Sequence, residues 1–363
     1  MWERACFLTR LVACSVRVSE TAGRIIKDIM RRGDLKIVDK GNGSKEDLQT
    51  EADRSAQYCI VKSLQEKFGS TVSSPVSDIM RRGDLKIVDK GNGSKEDLQT
   101  EADRSAQYCI VKSLQEKFGS KLTVIGEEER VSVAPYLELN YSAEVLKIDD
   151  NCPKELRQVN VDDVVVWVDP LDGTSEFAQA TRDGSPLLQQ VTVLIGISYK
   201  GRSVAGVIHQ PYWGENQIGR TIWAIVGAGA YGIDIVREKS ERVVVTTRSH
   251  SSTTVAEALQ ALKKCGLADS VQPVIKCLEG AAAYVFASPG CKKWDTAAPE
   301  AVIVAAGGKL TDVAGRQLYY GADAQIGNSG GVLATSSWVN HKDYVDNIPE
   351  FVKAALPEFI SKR

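Results

Sequence analysis

The sequence predicts a layered α/β protein with two sheets held between helices, and three patterns carry that prediction. An opening stretch from about Leu8 to Arg32 repeats apolar residues at helical spacing: Leu11, Val12, Val16, Val18, Ala22, Ile25, Ile26 and Ile29. Short apolar runs such as Val164 to Val168 have the length and β-branching of buried strands. From near Val243 onward, strand-like runs alternate with helical patterns at Thr254 to Lys264, Ala297 to Ala306 and Tyr344 to Ala355.

The elements follow in order. After the opening helix, residues 28–70 recur identically as 78–120, separated only by 71–77. Solenoid repeats drift in sequence and come in threes or more, so one identical tandem copy is a duplicated segment, not a repeat architecture. Each copy reads as the end of a helix, a turn at Gly-Asn-Gly, then a long helix from about Glu51 or Glu101 to Phe68 or Phe118. Leu122 to Ile125 is a short strand. Val191 to Tyr199 and Ser203 to Ile208 flank Lys200-Gly201-Arg202, a hairpin signal. Thr221 to Val226 adds a strand, and the glycines from Gly227 to Gly232 read as a tight turn, because no helix with a dinucleotide fingerprint follows them. At 363 residues, two parts are expected, 1–245 and 246–363.

Composition narrows the function. Lys plus Arg number 45 and Asp plus Glu 47, so there is no polybasic face for a nucleic acid polymer or an anionic membrane. No apolar stretch approaches a membrane span. Met1 to Arg10 mixes acid and base into a short apolar segment, unlike a secretory signal. The eight cysteines form no CxxC pair and read as reduced packing residues of a cytoplasmic protein, expected to be a monomer.

Three acidic islands each follow a strand-like run. Glu127-Glu128-Glu129 come after Leu122 to Gly126. Asp169-Pro170-Leu171-Asp172-Gly173-Thr174 come after Val164 to Val168. Asp295 comes after Ala283 to Ser288 and the link Pro289 to Trp294. Asp-Pro-x-Asp-Gly is also an ordinary surface turn, and Asp295 could simply be a helix N-cap. Neither reading explains why all three islands sit at strand ends, where open α/β sheets collect ligands. Carboxylates with a peptide carbonyl are hard oxygen donors of the kind that suit Mg²⁺. No Ser-His-Asp or Cys-His arrangement competes, since His209, His250 and His341 are scattered.

Glu127-Glu128 after Ile-Gly, the Asp169 to Thr174 string and Trp294-Asp295 resemble the three metal motifs of the Mg²⁺-dependent, lithium-sensitive phosphomonoesterases of the inositol monophosphatase superfamily. The Leu of Asp169-Pro170-Leu171-Asp172, the run Ser288 to Pro299 and Thr247-Arg248-Ser249-His250 are most similar to its 3′(2′),5′-bisphosphate nucleotidase branch. The resemblance implies an α/β/α/β/α sandwich of the sugar-phosphatase type. It implies Mg²⁺ held by Glu127, Asp169, the Leu171 carbonyl, Asp172 and Asp295, and substrate contacts from Thr174, Thr247 and His250. The implied substrate is a small phosphorylated nucleotide or inositol phosphate, hydrolysed directly with no phosphoenzyme. It also implies an acidic partner for Thr174 that orients the attacking water, and the duplication supplies two candidates, Asp53 and Asp103. Placing the second copy in the fold was expected to interrupt the opening helix, at about 1.5–3 kcal/mol for each buried side chain lost. Lengthening a surface connection costs only about 2 kcal/mol or less. These two terms favour Asp53; against them, the second copy sits next to Glu127 in sequence, with a short connection. Two departures bear on substrate choice: the branch's Gly-Gly-Ala-Gly-x-Lys stretch is missing before Glu279, and the segment Ala178 to Gln190 is longer than in relatives.

Overall fold

The computed structural model describes residues 1–32, 38–39, 86–87, 98–99, 101–128, 137–174, 176–177, 180, 186–236, 241–246, 252–273 and 279–357. Helix α1 (Phe7–Arg32) opens the chain and buries Leu8, Leu11, Val12, Val16, Val18, Ala22, Ile25 and Ile26, nearly the set its periodicity marks. Strands β1 (Val38–Asp39), β2 (Lys86–Ile87) and β3 (Leu98–Gln99) come from the duplicated region; β1 pairs antiparallel with β3. Helix α2 (Glu101–Phe118) follows, and β4 (Thr123–Gly126) pairs parallel with β2. After the short helix α3 (Ala143–Lys147) come β5 (Val164–Asp172), β6 (Thr192–Tyr199), β7 (Arg202–Gln210), β8 (Arg220–Ile225) and β9 (Gly229–Tyr231). They complete a seven-stranded sheet in the order β2-β4-β5-β6-β7-β8-β9. Strands β6 and β7 form the expected hairpin, closed by Lys200 and Gly201, both at positive φ as a tight hairpin turn requires.

The second sheet starts with β10 (Val243–Thr246), which spans the expected division at 245/246. Helix α4 (Thr253–Lys264), β11 (Ser270–Pro273), β12 (Ala283–Phe286), helix α5 (Lys293–Ala305), β13 (Lys309–Thr311) and β14 (Val332–Thr335) follow. The sheet order is β11-β10-β12-β14-β13. The single helix expected over Tyr344 to Ala355 is two, α6 (His341–Asn347) and α7 (Glu350–Ala355). Pro349 lacks an amide hydrogen and disfavours helical backbone at Ile348, so the chain breaks there.

Alternation along β5 shows how the layers stack. Val164, Val166 and Val168 join the core beneath α1 and α2, while Val165 and Trp167 join the core that holds Trp294 and Ala297 of α5. Both faces are covered, which is why the strand reads as an unbroken apolar run. On its other side α5 meets Phe286, Leu310, Val332 and Ala334 of the second sheet, whose far face is covered by α4, α6 and α7. The layers are therefore α/β/α/β/α, with α5 as the middle one. Its close seat on the first sheet depends on two strand glycines. A Cβ at Gly196 would lie 2.4 Å from Ala297 Cβ, and one at Gly206 2.4 Å from the Ala298 carbonyl oxygen.

Candidate metal and phosphate site

The acidic islands meet at one end of the first sheet. Strands β4 and β5 are parallel neighbours, so their C-terminal ends lie side by side, and Glu127 N–H donates to the Val168 carbonyl at 3.1 Å. Glu127 and Glu128 are both buried. Gln107, one helical turn beyond Asp103 on α2, fixes this strand end twice: its amide donates to the Glu128 carbonyl at 2.7 Å and accepts from the Glu128 N–H at 2.9 Å. Sequence reasoning passed over Gln107, although its spacing of four from Asp103 puts both on one helix face.

Asp169 and Asp172 were expected just past the end of a strand over Val164 to Val168. Instead the strand runs on through Asp172, with a register shift against β6 between Asp169 and Asp172. Pro170 cannot donate to a ladder, so a bulge is where a strand accommodates it. Across the bulge Asp172 lies close enough to Asp169 to act on its charge. Asp169 Oδ1 accepts from the Leu171 N–H at 3.1 Å, and Asp172 Oδ2 from the Thr192 hydroxyl at 3.2 Å. Gly173, at φ 89°, then turns the chain so that Thr174 faces back. The Thr174 hydroxyl lies 3.0 Å from both the Leu171 carbonyl and Asp103 Oδ1.

That last contact corrects the preference for Asp53. Asp103 of the second copy, fully buried in the first turn of α2, is the acidic residue beside Thr174. Asp53 lies outside the described residues, as do Thr247, His250 and Glu129. The expectation failed because it treated each copy as a unit. The copies are identical, so Asp28–Arg32 of the first completes α1 while the second supplies α2. Helix continuity and closeness to Glu127 are both kept.

Asp295 enters from the other side, on α5. It occupies the third helical position, so the alternative reading as an N-cap does not hold, and its Oδ2 accepts the Lys292 N–H at 2.7 Å. The start of this helix is braced by the segment before β14. Lys293 N–H donates to the Ile326 carbonyl at 2.8 Å, and the Asn328 amide donates to the Lys292 carbonyl at 2.9 Å and to Thr296 Oγ1 at 3.1 Å.

Electrostatics tie the four carboxylates together. Burial first, then Glu127 and Asp172, hold Asp169 well above the carboxylate range, with Asp295 adding to the effect. Enclosure and then Asp295, Glu127 and Glu176 push Asp172 up to about 7. Glu176 is thus an acidic neighbour that the motif reading missed. Among the described residues no three such side chains already close on one point. The donor set nevertheless fits Mg²⁺: it is all oxygen, carboxylates plus the Leu171 carbonyl, and a divalent cation would offset the mutual repulsion that raises these pKa values.

Comparisons with known proteins agree. Residues 73–352 match the inositol monophosphatase family, a span that includes the second copy and leaves out the first. The chain is 43% identical to human 3′(2′),5′-bisphosphate nucleotidase 1, covering 96% of this chain and 97% of that one. It is 35% identical to the protein of the same name from Dictyostelium discoideum, over 95% and 97% of the two chains. In fold it resembles the suhB protein of Bartonella henselae, at 16% identity over 95% of this chain and 97% of that one with a TM-score of 0.53. It also resembles CysQ of Bacteroides thetaiotaomicron, at 19% identity over 91% and 98% with a TM-score of 0.52. The family acts on small phosphorylated substrates and is generally Mg²⁺-dependent, and lithium sensitivity is typical of it. With this fold, this cluster of carboxylates and these matches, the chain belongs to the inositol monophosphatase family.

Proposed function

We propose that this protein is a Mg²⁺-dependent phosphomonoesterase that removes the 3′(2′)-phosphate of adenosine 3′(2′),5′-bisphosphate, leaving AMP, and that it also accepts inositol bisphosphates. The observation that carries the reading is the Thr174–Asp103 contact at the edge of the carboxylate cluster. Glu127, Asp169, the Leu171 carbonyl, Asp172 and Asp295 would hold the metal. When bound, Mg²⁺ supplies charge for the phosphate oxygens and acidity for the attacking water.

The chain's own groups do the rest. A hydroxyl has one proton, so Thr174 donates either to Asp103 or to the Leu171 carbonyl, and an ionised carboxylate is the stronger acceptor. With its proton on the Asp103 side, Thr174 turns its lone pairs outward to receive a proton from the attacking water. The pair then works as a relay that orients the water and takes up its proton. Thr247 and His250 are proposed as substrate contacts on the motif likeness alone.

The test is phosphate release from adenosine 3′,5′-bisphosphate and from inositol 1-phosphate, with and without Mg²⁺. Preferential release from the nucleotide, inhibited by Li⁺, is expected. A preference for inositol 1-phosphate would overturn the substrate. Metal-independent release, or none from any small phosphate ester, would overturn the chemistry.

A further inference from the structure

Two sulfurs lie against each other at the end of the molecule remote from the carboxylates. Cys6 sits just before α1, and Cys152 just after the single turn Asp149–Asn151. Their Sγ atoms are 3.7 Å apart, although the residues are separated by 146 positions. Helix α2 measures the distance to the catalytic end. Asp103 stands in its first turn, and Phe118, its last residue, packs edge-on against Phe7 with ring centroids 5.5 Å apart. At about 1.5 Å per residue, roughly 22 Å separates the two ends.

The setting of Cys6 differs from that of the other free thiols among the described residues. Burial raises Cys14, Cys109 and Cys291. Cys265 is exposed. Cys6 is half-buried, at the amino end of a 26-residue helix whose dipole favours a thiolate. The Cys152 sulfur and the Thr9 hydroxyl, 3.1 Å away, lower its pKa against the opposing effects of burial and Asp149. Asp149 is itself occupied by the Cys6 N–H at 3.0 Å and by Arg157 at 2.8 Å, which blunts its repulsion. Cys152 stands instead at the carboxyl end of its turn, so only Cys6 has a helix amino terminus to favour its thiolate.

We propose that Cys6 and Cys152 form a hydroperoxide-reactive dithiol, in which Cys6 is the attacking and Cys152 the resolving sulfur. The Cys6 thiolate attacks one peroxide oxygen, the O–O bond breaks, and the departing hydroxide (alkoxide, for an organic peroxide) takes a proton. Cys6 becomes a sulfenic acid, oxidised by two electrons while the peroxide is reduced. The Cys152 sulfur then attacks Cys6, the S–O bond breaks, and the leaving hydroxide carries away the Cys152 proton as water. Two thiols and one hydrogen peroxide give one disulfide and two waters. Closure requires the sulfurs to approach from 3.7 Å to about 2.05 Å. The product staples the start of α1 to the segment before β5, away from the phosphate site.

Limiting hydrogen peroxide at neutral pH, followed by alkylation and tryptic mass mapping without reductant, tests this on the full-length protein. The peptide 5–10 should be found joined to 148–154 before the exposed Cys265 is modified. Oxidised protein should melt at a higher temperature than reduced protein, with Mg²⁺-dependent phosphate release unchanged. Cys152→Ser should stop at a sulfenic acid on Cys6 that dimedone traps. The proposal is overturned if Cys265 reacts first, or if wild-type Cys6 proceeds to sulfinic acid while Cys152 stays reduced. Linkage of 5–10 to any other cysteine peptide overturns it as well.

Discussion

The two faces of the seven-stranded sheet each deliver an acid to the same strand end, but they reach it differently. On one face α5 follows β12 by a few residues and is locked in place by Gly196 and Gly206 beneath it and by the Ile326–Asn328 segment beside it. On the other face α2, which carries Asp103, reaches its seat through the whole duplicated region. The seats are equally well filled: Ala102, Ala106, Ile110 and Leu114 of α2 are as fully buried as Ala297, Ala298 and Val302 of α5. Side-chain packing at the destination, not the length of the connection, fixes where a catalytic helix sits. Loop closure entropy grows only with the logarithm of length.

Removing a carboxylate from either source should have the largest effect. Asp169→Asn on the strand and Asp295→Asn on α5 should each abolish Mg²⁺-dependent hydrolysis with far-ultraviolet circular dichroism unchanged, because each deletes a charged oxygen donor. Near-full activity at saturating Mg²⁺ would reduce that residue to a bulge or cap residue.

Gly196→Val should break the α5 face selectively. Overpacking against Ala297 is expected to cost about 1–3 kcal/mol, and displacing Asp295 by even 1 Å should slow turnover by up to about 10²-fold. A chemical denaturation curve and a Mg²⁺ titration would check both, and a raised Mg²⁺ requirement is the signature of a displaced ligand.

The faces should also differ in their response to pH. His209, on β7 with Gly23 of α1 against its ring, is lowered by burial to about 4. The unfolded chain therefore binds more protons between there and 6.5, so the His209 contribution is complete above 6.5 and is lost as pH falls through 4. Glu300 on α5, which accepts the Tyr320 hydroxyl at 2.6 Å, is raised by burial to about 7. Its contribution is complete below 4.5 and is lost as pH rises through 7. Melting curves from pH 4 to 8 should show Glu300→Gln flattening the neutral limb and His209→Asn the acid limb, each by up to about 3 kcal/mol. Parallel curves for wild type and both variants would contradict these assignments.

The smallest effect should come from the largest change. Because the copies are identical, deleting residues 33–82 joins the described end of α1 to a single intact copy. Stability should change by no more than about 1–2 kcal/mol, with turnover within about twofold of wild type. A large loss of activity on deletion would mean that the surplus segment is part of the site.

What the sequence made legible follows from local periodicity. The helical pattern of Leu8 to Arg32, the apolar β5 and the Lys200-Gly201 turn each depend on neighbours in the chain, and each was readable. The acidic islands were readable because they sit at strand ends. Choosing between Asp53 and Asp103 was not a local question, since identical residues have identical propensities and only packing distinguishes them. The bulge at Pro170 and the brace from Asn328 depend on β6 and on a segment more than thirty residues from Lys292, contacts that no single stretch reveals. Pro349 is visible in the sequence, and its missing amide hydrogen is the local signal that divides Tyr344 to Ala355 into two helices.

The most direct measurement compares Asp103→Asn with Asp53→Asn in the Mg²⁺-dependent release of phosphate from adenosine 3′,5′-bisphosphate. Asp103→Asn removes the partner of Thr174 and should lower kcat by about 10²–10⁴-fold. Asp53→Asn should leave kcat at the wild-type value and stability within about 0.5 kcal/mol. A large loss confined to Asp53→Asn, or equally small losses in both, would contradict the placement of the second copy at the site.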